Sequence, residues 1–111
     1  MNPEIKKLHQ NLIQTHLNLA ARLGETDDIE DALAILREMD EVNFRVMMAG
    51  KLLFQETTAR IDQRIDGVLA ASGDLDQSLK EIEKTKDLIK AVGKFLTLVD
   101  KVIDAIKVLG I

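Results

Sequence analysis

Proline occurs once in this chain of 111 residues, at Pro3, and cysteine, tryptophan and tyrosine do not occur at all. With no second proline, nothing after Pro3 forbids helix. Glycine is sparse, and only Gly24 and Gly73 stand in turn-like surroundings before Gly110. Long helices, few turns and little loop follow, and with little loop there is little of the backbone that usually carries catalysis. The missing cysteine excludes disulfides and thiolate metal sites. Aromatics are 3% of the chain, namely Phe44, Phe54 and Phe95, so the core must be aliphatic. No stretch reaches the roughly 18 apolar residues that suggest a membrane-spanning helix. The first apolar segment is interrupted by polar residues at helical spacing, unlike a signal peptide, and the expected location is cytoplasmic.

What is present is an ordinary globular balance, 46% hydrophobic and 31% charged, enough for one helical domain over residues 1–111. The net charge of -4 is unevenly spread. Residues 1–24 carry Lys6, Lys7 and Arg22 against Glu4, and residues 25–45 carry eight acids against Arg37 and Arg45. The acids near Asp27 suit a helix start, where negative charge is favourable. Overall acidity speaks against a nucleic-acid partner, which needs clustered Lys and Arg to neutralise phosphates.

The punctuation predicts three helices, at about 3–23, 27–71 and 74–109. Asn2 can cap the first, with Pro3 at its first position. Gly24 is a natural left-handed stop. Asp27 with Glu30 forms a capping box for the second helix, with Thr26 as a competing cap. Ile29, Leu33, Leu36, Met39 and Val46 read as its apolar stripe, extended by Leu53, Ile61, Ile65 and Val68. Ser72-Gly73-Asp74 is the second expected turn. In the third helix, Leu75, Ile82, Ile89, Leu96 and Ile103 recur at seven residues, a coiled-coil-like spacing. The expected fold is all-α: a three-helix bundle continuing into an antiparallel hairpin of long second and third helices. That second helix would be about 68 Å long. The alternative is a four-helix bundle with helix two broken between Ala49 and Thr57, where Gly50 is the weak point.

No motif points to catalysis, and the chain reads as a non-enzyme without cofactor or metal. His9 and His16 lie two turns apart, about 10.5 Å along the axis, and cannot alone hold one ion. Glu41 lies four residues from both Arg37 and Arg45, the spacing of a solvated ion-pair ladder. Residues 46–54 are apolar around most of the helix, more than one neighbour can cover. This points to a helical interaction and assembly protein, adaptor- or chaperone-like, forming a homodimer and docking a protein partner. Met47, Met48, Leu52 and Phe54 would supply contact area, and Asn43 would set register. The competing reading is a membrane-surface protein acting through the amphipathic segment 88–111, which carries four Lys against two Asp.

Overall fold

Asn2 opens the first helix as its position predicts: its side chain accepts hydrogen bonds from the backbone N–H groups of Glu4 and Ile5. The structure, a computed structural model describing residues 1–109, contains four helices. They are α1 (Pro3–Gly24), α2 (Ile29–Lys51), α3 (Ala59–Glu81) and α4 (Thr85–Leu109). The chain is therefore all-helical over its described residues, with four helices rather than the three of the main expectation, and with α2 ending at Lys51 inside the 49–57 window of the four-helix alternative. The last two positions of segment 88–111 lie outside the described residues.

Two boundaries differ from expectation for reasons that glycine and proline do not record. The long second helix ends at Lys51, and residues 52–58 form a connection. Gly50 is still helical, so the break is not a glycine stop. It is held from outside. The Asn2 N–H donates to the Leu53 carbonyl at 2.7 Å, and the Asn2 side-chain amide donates to the Gln55 carbonyl and to Thr57 Oγ1. Thr58 then caps α3 by accepting from the Ile61 N–H. One residue thus caps α1 and satisfies the loop that ends α2.

The expected turn at Ser72-Gly73-Asp74 is instead the middle of α3. Ser72 continues the buried series Ile61, Ile65, Val68, Ser72, Leu75 and Leu79, and packing of that face carries the helix through glycine. The real turn, Ile82-Glu83-Lys84, contains no glycine. Its orphan carbonyls are met by another helix: Arg22 donates to the carbonyls of Leu79 and Glu83.

Smaller corrections fall at the first connection. Gly24 is the last residue of α1 but does not take a positive φ. The end is closed by the Glu25 and Thr26 N–H groups on the Arg22 and Leu23 carbonyls. The cap of α2 is Asp28, which accepts from Glu30 and Asp31, while the Thr26 hydroxyl donates back to Arg22.

Each helix contacts two others: α1 lies beside α2 and α3, and α4 beside α2 and α3, with α1–α4 and α2–α3 across the diagonals. The connection 52–58 therefore spans a diagonal of the bundle. The α1–α2 and α3–α4 hairpins form two layers. Their shared core joins Leu8 and Leu12, Ile35 and Val42, Ile65 and Val68, and Val92 and Val99. The extents are 45 × 21 × 18 Å, shorter than the expected hairpin because α2 folds back at residue 52. No helix among the described residues is long and apolar enough to cross a membrane.

Candidate interaction surface

The seams between the layers differ in chemistry. Along α1–α3, Thr15 and Ser72 are buried; the Thr15 hydroxyl donates to the Asn11 carbonyl, and the Ser72 hydroxyl has no partner. The Asn18 amide donates to Asp76 Oδ1 at 2.6 Å further along the same seam. Along α2–α4, Arg45 holds Asp100 through two hydrogen bonds of 2.9 Å and also pairs with Glu41. The bond to Asp100 holds the Arg45 guanidinium above its already high range. Burial raises Glu38 above the usual carboxylate range; the charge of Glu41 adds to the shift and Arg45 opposes it. These contacts join helices and use their groups on each other.

The outer side of α2 is different. At about 100° per residue, Ile29, Leu33, Leu36, Asp40, Phe44 and Met47 fall within about 80° of one another. Ile35, Met39, Val42, Val46 and Ala49 make a second stripe on nearly the opposite side, and this second stripe is the one that faces the core. Ile29 is 75% exposed, Leu33 51%, Leu36 42%, Phe44 58% and Met47 56%. The adjacent helix adds Ile13 and Leu17, both exposed and both on the side of α1 away from Asn18 and Arg22, hence away from α3. The outer face of the α1–α2 layer thus carries exposed apolar side chains from both helices, with Asp40 and Asn43 among them. Contiguous exposed apolar area of this kind marks interaction surfaces.

Of the residues singled out from sequence, Asn43 and Met47 lie exposed on this face. Met48 is half-buried against the core, and Leu52 is buried. Phe54 is exposed on the α2–α3 connection, past the end of the helix. The structure thus brings together Asn43 and Met47 and separates them from Leu52 and Phe54. The sequence places Ile29, Leu33 and Leu36 in one apolar stripe with Met39 and Val46, whereas in the structure the first three lie on a separate, exposed stripe. The signal was there in that α2 carries two apolar stripes, and periodicity alone does not say which one its neighbours cover.

Two other surface features are smaller in content. An open groove of about 600 Å³ between α3 and α4 is lined by Val68, Leu98 and Val102 with Arg64, Lys101 and Asp104 at its edges. The end of the bundle at the α1–α2 turn gathers Glu25, Asp27, Asp28 and Asp31 beside Glu81 and Glu83. Among the described residues, no three His, Cys, Asp or Glu side chains are placed to hold a metal ion. His9 and His16 are half-buried on α1, with His9 against Gly50 of α2. The apolar face of α4 that resembles an interfacial helix, Phe95, Leu96, Val99, Ile103 and Ile106, is inside the core. Comparison with protein-family models, with curated proteins and with solved structures found no match.

Proposed function

We propose that this chain is a non-enzymatic assembly protein, adaptor- or chaperone-like in kind, that self-associates through the outer face of α1 and α2. The observation that carries the reading is the second apolar stripe of α2, Ile29, Leu33, Leu36, Phe44 and Met47, exposed opposite the core. A helix apolar on two sides needs neighbours on both, and one side has none within the chain. The layer is about 35 Å long and about 20 Å wide, or roughly 700 Å² of flat area, close to the roughly 800 Å² per partner of stable interfaces. A second copy supplies an equal area of the same character.

Light scattering tests this directly. The wild-type chain is expected at twice its 12.4 kDa mass at high micromolar concentration. Leu33→Glu and Met47→Glu, both at exposed positions and so compatible with the fold, are expected to be monomeric with unchanged helix content. A wild-type monomer would overturn the proposal and leave the face to a different partner. Vesicle co-sedimentation of that monomer, compared with Leu33→Glu, would then tell a membrane from a protein.

A further inference from the structure

We infer that the second copy docks antiparallel, about a two-fold axis crossing α2 between Glu38 and Met39, so that Arg37 of each protomer meets the partner's Asp40. This rests on the self-association proposed above and adds its polarity and register.

Three observations carry it. The first is the order of chemistry along the stripe. Apolar residues stand at both ends, Ile29 and Leu33 before, Phe44 and Met47 after, with Leu36 and the exposed charges of Arg37, Asp40 and Glu41 between them, Glu41 being paired with Arg45. A two-fold axis midway between Arg37 and Asp40 exchanges those two and brings Leu33 level with the partner's Phe44. Ile29 and Glu30 then come level with the partner's Met48 and Met47. Leu33 meets the partner's Phe44 and the Arg37 and Asp40 charges meet opposite charges, while Met47 and Leu36 come level with the partner's Glu30 and the partner's Glu41. Arg37 and Asp40 are both exposed, and neither makes an ion pair or side-chain hydrogen bond among the described residues.

The second is the charge along the hairpin. Lys6 and Lys51 lie at one end, where Asn2 meets Leu53; Lys7 there is paired to Glu4, and Glu56 lies on the connection, so that end is only weakly basic. Glu25, Asp27, Asp28, Glu30 and Asp31 lie at the other. An antiparallel pair places the acidic end of each protomer over the basic end of its partner. A parallel pair places acid on acid. Like charges brought together at an interface suppress the wrong arrangement.

The third is the position of Leu17. The Asn2–Leu53 hydrogen bond at one end and the 25–28 turn at the other put Leu17 about level with Glu38 across the α1–α2 seam. Leu17 is 54% exposed on the same outer face. On the proposed axis it packs against the partner's Leu17, so α1 continues the contact that α2 makes.

The chain has no cysteine, so a single introduced one accepts one spin label per protomer. Labels at Asn43→Cys, Glu30→Cys and Lys51→Cys flank the stripe at increasing distance from the axis. At 1.5 Å per residue their same-site axial separations are about 13, 25 and 37 Å. Inter-label distances rising in that order are expected. Three equal distances would mean a parallel pair, and any other order a different register; either overturns the inference while leaving self-association standing. Absence of dipolar coupling together with a monomer mass overturns both.

Charge exchange gives a second reading. Arg37→Asp sets two pairs of like charges against each other and is expected to weaken association about tenfold. Arg37→Asp with Asp40→Arg restores opposite pairs and is expected to return within about threefold of wild type. A double variant no tighter than the single one overturns the register.

Discussion

At the scale of single residues, a few polar side chains act as joints between distant segments: Asn2, Asn18, Arg22 and Arg45. Asn2 caps α1 and holds the connection after α2, and Arg22 caps α3 from a helix away. Thr15 keeps its hydroxyl on its own helix. Glu38 is the residue whose charge sits least comfortably, because burial and Glu41 both oppose it and only Arg45 helps. Its folded pKa is raised, so its ionised form destabilises the folded chain. The cost is absent below the unfolded carboxyl range near 4.5 and is fully felt once pH passes the folded pKa. Glu38→Gln is therefore expected to raise the melting temperature at neutral pH, with the gain shrinking as pH falls toward 4. Thermal melts across that range check the sign, and a gain that grows in acid would contradict it.

At the scale of elements, helix boundaries followed packing more than punctuation. Asn2 and Pro3 marked the start of α1 correctly because a cap and a fixed φ act locally. Gly73 misled because glycine permits a turn without requiring one. Its position on α3 is exposed, and a Cβ added there meets nothing within 4 Å. Gly73→Ala is expected to stabilise the protein by about 1 kcal/mol, the helix-propensity difference between the two residues. Were residues 72–74 a left-handed turn, the same change would destabilise it. A denaturant midpoint for the variant separates the two. The turn at 82–84 was illegible for the opposite reason. It has no residue that breaks helices, and the group that satisfies it comes from Arg22.

At the scale of the whole molecule, the diagonal step between α2 and α3 decides the shape. It turns a long helix into two and places α1 and α2 together in one layer, their outer sides free. The largest extent is 45 Å, against about 68 Å for an unbroken second helix. Solution scattering on the monomeric Leu33→Glu variant should give a radius of gyration near the 14.3 Å of the Cα trace, plus the small contribution of side chains and hydration. A profile of a rod near 70 Å would restore the unbroken helix. The candidate surface was partly legible. Met47, singled out by the apolar crowding of residues 46–54, and Asn43, singled out as a register residue, are exposed on this face, but Leu52 went to the core. Ile29, Leu33 and Leu36 read as one stripe with Met39 and Val46, because a helix with two apolar stripes gives the same periodicity whichever one is buried.

The amino-acid order by itself determined that the chain is helical, that its core is aliphatic, and that α4 has one dominant apolar face. These depend on local propensity and on one unambiguous stripe, both properties of contiguous residues. Tertiary structure decided between an unbroken second helix and the break that the sequence left open at 49–57, and it alone decided that α3 passes through Gly73 and which face of α2 is left open. Each of these depends on groups distant in the chain: Asn2 on the 52–58 connection, Arg22 on the end of α3, and α1 and α4 choosing one stripe of α2 and leaving the other exposed.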